Sequence, residues 1–518
     1  MTLAVTPRRG AAPAPRPPAA GVQAPRPASV VNASSVVIAL FIAATMVMCT
    51  GLGGRAANVT YVGLAVAAGA VLLDQSPVTY TSFSLWLWFV TPFVRRVFDY
   101  RHGWNPTNLV LLAPPLVAAL SFLTLWRHAR ELRRRLFVPY LLIIGALGYG
   151  YMVGVMVAGF VPATYALLTW LAPIMFGIHL ALSWRQYVAL SASVRRTFAV
   201  ALPVLAAYGV YQFVRIPKWD AAWMISSDLR SIGSPLPFLV RVFGTLNTPG
   251  PFAAFLLVGI LLMLAGKGFA RFPGIALALV ALLLTRTRSS WVAFVIGIVI
   301  IQLSQPVIRL PRRMIALIVV AALAFPLTTL PRFRSTIVSR MSTLKDIEAD
   351  NSFVKRVAFS QAAAAGVVES ALGNGLGTTG GAVKLDTRGV GVRSLDNGFL
   401  ELFYVFGWPG GTMLLLGIGA LFLQSLRFAE ARRDPFAGAL RATAMAIIAI
   451  MPVGDIFSGS TGVLLWSMLG LGISAHAYHL TTGLALRSSA RPLFRAGELV
   501  PQWAMPVRPP GTPSPLGG

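Results

Sequence analysis

The sequence predicts an all-α, polytopic transmembrane bundle of about 12–14 helices with one large external loop that contains an amphipathic helix. Three observations predict it. Of 518 residues, 56% are hydrophobic and only 12% are charged, against about 25% charged in an ordinary soluble domain. The mean hydropathy is +0.72. Apolar runs long enough to span hydrocarbon recur along the chain, and a helix is the element that satisfies its own backbone there.

The formal net charge of +28 raises nucleic acid as a partner. The basic residues, however, sit in short clusters between apolar runs, the pattern expected for cytoplasmic loops and anionic lipid headgroups. The expected partner is therefore the lipid bilayer and not nucleic acid. The single cysteine, Cys49, excludes an intrachain disulfide and a cysteine-rich metal site.

Residues 1–30, rich in Pro, Ala and Arg, read as a disordered cytoplasmic tail and not as a signal peptide. The N-terminal membrane region covers 31–330, with apolar segments near 31–53, 57–74, 78–95, 106–126, 136–158, 162–183, 197–214, 249–266, 272–285, 287–304 and 312–330. A loop at 331–397 follows, then segments at 398–425, 438–454 and 460–482, and a basic, Pro-rich cytoplasmic tail at 483–518.

Short basic loops at 128–135, 184–196, 266–271, 309–313 and 427–434 place those connections in the cytoplasm. Alternation then puts both termini inside and 215–248 and 331–397 outside. The expected location is the cytoplasmic membrane. One stretch objects: RRVFDYRH, 95–102, falls outside although it is basic. Either the charge rule is violated there, or 106–126, interrupted by Pro114 and Pro115, is not a simple span. The 331–397 loop is long enough to escape the charge rule, and its first half, 351–371, has the apolar spacing of an amphipathic helix.

Candidate chemistry gathers on the external side. Arg241 precedes an apolar helix, and Arg286 and Arg288 stand between two apolar runs. Arg356 lies on the amphipathic segment. Such arginines either snorkel to headgroups or cluster on a diphosphate through bidentate hydrogen bonds. GLGTTG at 375–380 matches G-x-G-x-x-G without the strand that a dinucleotide fold requires. It is a surface turn or a backbone nest for a phosphate or sugar. None of the five histidines falls in the long loop, and the acidic candidates are Asp386 and Asp396 within it and Glu401 at the membrane edge.

Four stretches together resemble the O-antigen ligase and O-antigen polymerase superfamily of membrane glycosyltransferases. They are RVFGTLNTPGPFA, LLLTRTRSSWVAF, FVKRVAFSQAAAAGVVESALGNGLG and SLDNGFLELFYVFGWPGG. Together they cover roughly 200–425. Three departures stand out: Thr248 separates Asn247 from Pro249, Ser370 replaces a proline, and Asp396 occupies a histidine position.

The resemblance implies glycan transfer from a polyprenyl-diphosphate-linked donor to a glycan acceptor at the external face. Arg241, Arg356 and Asp396 would be catalytic, and Arg286, Arg288, Asn247, Gly375, Gly377 and Asn397 would contact substrate. No cofactor or metal is expected, while other polysaccharide-assembly proteins are expected as partners. Aspartate in place of histidine favours an exopolysaccharide polymerase over a lipid-A core ligase. The competing readings are a polysaccharide or lipid transporter or flippase, a ligase acting on another acceptor, and a structural membrane protein.

Overall fold

The computed structural model describes residues 33–132, 135–266, 268–304, 315, 318–323, 325–326, 370–392, 395 and 397–482. Among them the chain is helical, broken by turns and two isolated bridges. Eight helical stretches are long and apolar enough to cross a membrane, and four shorter apolar helices accompany them.

The first helices are α1 (Ala33–Cys49), α2 (Ala56–Gln75) and α3 (Pro77–His102). Ser76 starts α3: its side chain accepts from the Thr79 amide at 3.2 Å, and Pro77 fills the first turn, where no amide partner is needed. Next come α4 (Ala113–Ala119), α5 (Phe122–Arg127), α6 (Ala129–Leu132), α7 (Val138–Val157) and α8 (Phe160–Leu182). Gly159, at φ 98°, lets α8 turn back after α7. The series continues with α9 (Tyr187–Val214), α10 (Lys218–Ser227), α11 (Pro249–Leu264), α12 (Phe272–Leu284) and α13 (Arg288–Leu303). It closes with α14 (Gly398–Arg427), α15 (Pro435–Ile448) and α16 (Gly459–Thr481). The closest packing pairs α8 with α16, α7 with α14, and α9 with α12.

Three expectations need correction. RRVFDYRH is no external loop, because α3 continues to His102 and buries Arg95 and Arg96 inside the protein. Arg95 pairs with Asp99 at 3.0 Å, and Arg96 pairs with Asp220 at 2.9 Å. Neither charge faces lipid or solvent, so the charge rule for loops does not govern them. Second, Pro114 and Pro115 do not interrupt 106–126: they occupy the first turn of α4, and the break falls at Leu120–Ser121, between α4 and α5. Third, the basic stretch 184–196 is mostly helix, since α9 begins at Tyr187 and carries Arg195 and Arg196 within it. The amphipathic helix expected at 351–371 lies outside the described residues as far as 369, and Ala371 and Leu372 form a turn.

Side chains at helix ends and turns link neighbouring elements at the two ends of the bundle. At one end, Arg127 meets Asp74 at 3.8 Å, and Tyr187 donates to Asp434 at 2.6 Å. At the other end, Arg96 reaches the carbonyl of Gly244 at 2.6 Å, and Arg388 reaches that of Met156 at 2.6 Å.

Candidate active site

Arg241 sits where two chain segments clasp. Gly233, at φ 86°, forms an isolated antiparallel bridge with Val240, and the Arg241 amide donates to the Ile232 carbonyl at 2.8 Å. Beyond it, the Val242 amide donates to the Leu284 carbonyl at 3.2 Å, which draws this loop onto the α12–α13 turn. The Arg241 guanidinium follows the same direction. Its Nε donates to Thr285 O at 3.2 Å and its Nη1 to Ser231 O at 2.8 Å, while Nη2 lies 3.5 Å from both Arg286 O and Thr287 Oγ1.

Arg286 reciprocates by donating from Nη2 to Phe238 O at 3.3 Å. It does so from a left-handed backbone at φ 54°, a conformation costing on the order of 1–3 kcal/mol for a non-glycine residue. Arg288 opens α13 directly afterwards. The fold thus brings Arg241, Arg286 and Arg288 to one clasp at the bundle's end, all three half-buried.

Asn247 lies six residues beyond Arg241 on the same turn. Among the described residues, its Oδ1 and the nearby Thr245 hydroxyl are buried without a hydrogen-bond partner. An orphaned buried polar atom costs about 1–3 kcal/mol, so this turn presents acceptor atoms that a ligand or water would satisfy.

The glycine-rich stretch, read as a surface turn or a backbone nest, packs against protein backbone. The helix α14 is broken at Gly407, at φ 58° and ψ −168°, and Pro409 has no amide to offer the Val405 carbonyl. The turn at 371–376 repairs the break. The Gly375 amide donates to Val405 O at 2.8 Å and the Asn374 amide to Tyr404 O at 2.9 Å, while Trp408 donates to Ala371 O at 2.9 Å. The Leu376 amide goes to Gly150 O at 2.8 Å.

These amides face protein carbonyls and not an anion. Glycine is needed at 375 because a Cβ would strike the Gly154 backbone, and at 377 because it would crowd Pro162 and Ala163. Irregular backbone within a helix bundle is tolerated when protein covers and satisfies it. Asn397 is likewise engaged structurally: its side chain accepts from the Phe399 and Leu400 amides and caps α14.

Arg356 and Asp396 lie outside the described residues, as does Arg393. Two other acids are in view. Asp386 accepts from the amides of Arg388 at 2.8 Å and Gly391 at 2.9 Å, and these bonds hold its carboxyl below the usual range. Glu401, buried on the first turn of α14, lies near Asp455 and takes a hydrogen bond from Thr379. Asp455 accepts from the Phe457 amide at 2.8 Å ahead of α16, and burial pushes its carboxyl up. Among the described residues, no group of three or more His, Cys, Asp or Glu could hold a metal ion.

Reading the sequence missed Arg96, Asp220 and Gln212, which grip the turn between Arg241 and Asn247. Arg96 donates to Gly244 O from 148 positions away, and such a pairing leaves no periodic trace. The one available signal was the basic stretch at 95–102, which did not fit the charge rule as a loop.

With this geometry in view, the class is an integral membrane bundle with an arginine clasp at one end. Residues 273–415 match the family model described as O-antigen ligase. Over that stretch the chain is similar to the O-antigen ligase family, and the resemblance read from its motifs holds there. No curated protein matches the chain. The matched stretch contains Arg286 and Arg288; Arg241 lies upstream of it, fastened to Thr285 within it.

Proposed function

We propose that this protein transfers or polymerises polyprenyl-diphosphate-linked glycan units at the external face of the cytoplasmic membrane. Both termini would be cytoplasmic, and 331–397 would be the external loop over the site. The observation that carries the reading is the clasp of Arg241 with the Arg286–Arg288 turn, joined to an O-antigen ligase-type domain.

A polyprenyl diphosphate brings about two negative charges to the low-dielectric bilayer edge, where unpaired charge is costly. Arginines offset that charge through planar, charge-assisted hydrogen bonds. In the transfer step the acceptor hydroxyl oxygen attacks the donor sugar's C1, and the bond from C1 to the diphosphate oxygen breaks. The bonding pair leaves with the polyprenyl diphosphate. The guanidinium groups of Arg241 and Arg356 stabilise the charge that builds on it, with Arg286 and Arg288 holding the diphosphate. The hydroxyl proton passes to Asp396, and Asn247 supplies its unpartnered Oδ1 to a donor-sugar hydroxyl. Polymerisation is preferred to ligation because Asp396 stands where the resembled ligases carry histidine.

The test is the lipid-linked species that accumulates when the gene is removed. Single repeat units on polyprenyl diphosphate, exposed externally, are expected. Repeat units trapped on the cytoplasmic side would indicate a flippase, and finished polymer still attached to lipid would indicate a ligase.

A further inference from the structure

We propose, resting on the function above, that Arg96, Asp220 and Gln212 are positioning residues for the transfer step. Together they fix the 243–246 turn and thereby set where Arg241 and Asn247 stand.

The Arg96–Asp220 pair is wholly sealed from solvent, with both side chains at 0% exposure. Arg96 places its Nε 2.9 Å from Asp220, donates from Nη2 to Gly244 O at 2.6 Å, and donates from Nη1 to Leu246 O. Its guanidinium lies 4.9 Å from the Phe243 ring. Gln212 completes the grip from α9. Its Nε2 donates to Asp220 at 2.6 Å, and its Oε1 accepts from the amides of Phe243 and Gly244 at 3.0 Å each. Tyr208 donates to the same carboxylate at 2.7 Å. Two carbonyls and two amides of one short turn are therefore held by side chains from α3 and α9.

Stability alone accounts poorly for this arrangement. A buried ion pair is often no more stabilising than well-packed apolar residues of similar volume, because desolvation offsets the attraction. What the network supplies is a single conformation for the turn. Arg241 is fastened on one side by the α12–α13 turn, and the Arg96–Asp220–Gln212 network fastens the chain just after it. A guanidinium that stabilises a departing diphosphate acts through being fixed in advance, and a displacement of about 1 Å at such a group can cost about 100-fold in rate.

The test uses the full-length protein with Arg96→Lys, which keeps the charge but cannot reach Asp220, Gly244 O and Leu246 O together. Two readouts are taken: turnover of a polyprenyl-diphosphate-linked repeat unit, and amide hydrogen exchange. We expect turnover to fall at least about 10-fold with donor KM within about threefold. Exchange across 240–247 should accelerate at least about 10-fold, while α11 and α12 exchange as in wild type. Gln212→Glu, which replaces the amide donor to Asp220 with a second carboxyl oxygen and keeps an acceptor for the Phe243 and Gly244 amides, should reproduce the pattern and serves if Arg96→Lys does not fold.

Unchanged exchange at 240–247, or normal turnover despite faster exchange there, overturns the proposal. So does loss of protection spread evenly through the bundle. Because exchange is read without any reaction, an inactive wild-type protein would count against the proposed function and leave the exchange arm to judge the turn.

Discussion

Gly375 shows how little room this structure leaves around its irregular backbone. A methyl group there meets the Gly154 amide and Cα, which cannot move without shifting α7. Gly375→Ala should therefore destabilise the protein by about 2–4 kcal/mol or prevent folding, combining overpacking with a φ of 81° that L-residues resist. Thermal unfolding in detergent measures it, and a melting temperature equal to wild type would refute the packing role.

The same position shows where sequence reading runs out. A glycine that lets backbone approach a phosphate and one that lets backbone approach a helix are identical in sequence. Only the carbonyls of Tyr404 and Val405, left open by Gly407 and Pro409, distinguish them. Asn397 carries a smaller prediction. Asn397→Ala removes the cap of α14 and should cost about 1 kcal/mol, with donor binding unchanged; a selective loss of donor binding would restore it as a substrate contact.

Among the elements, the ends of α9, α15 and α16 are tied together at the face opposite the arginine clasp. Asp434 caps α15 through the Phe436 amide at 2.9 Å, accepts from Tyr187 on α9 at 2.6 Å, and meets His479 on α16 at 3.2 Å. Burial opposes its charge, but the hydrogen bonds from His479, Tyr187 and the Phe436 amide outweigh it and hold the carboxyl below the usual range. A depressed folded-state pKa contributes stability above the unfolded value of about 3.9 and loses it as pH falls through the folded value. Asp434→Asn should lower the melting temperature at pH 7, and the gap from wild type should close below about pH 3.9. An equal gap at pH 7 and pH 3 would show that the charge is not what matters.

These helices were largely legible as apolar runs. Their ends were not, because α3 carries buried arginines and α9 exposed ones, and both mimic loop charges.

At the scale of the whole molecule, the alternation of apolar segments predicts which loops share a face. Contacts such as Arg96 with Gly244 and Arg127 with Asp74 join helix ends and a turn that the alternation places on one face. The side each face takes in the membrane is a separate prediction. With Cys49 replaced, single cysteines at the exposed positions Thr387 and Arg432 should label from outside and inside respectively. Labelling of both from one side would remove the external loop.

The arginine clasp was partly legible. Arg241, Arg286 and Arg288 could be placed on one face by parity, and the structure brings Arg241 against the turn that bears the other two. The Arg96–Asp220 support could not be read, since its partners are joined only through the tertiary fold.

The most direct test of the central claim is turnover in proteoliposomes supplied with a polyprenyl-diphosphate-linked repeat unit. Wild-type protein should release free polyprenyl diphosphate as the glycan lengthens. Arg241→Lys, folded and inserted normally, should turn over at least about 100-fold more slowly, because a point charge cannot copy the guanidinium fork in the transition state. No release by the wild type, or an Arg241→Lys protein that works at the wild-type rate, would contradict the account.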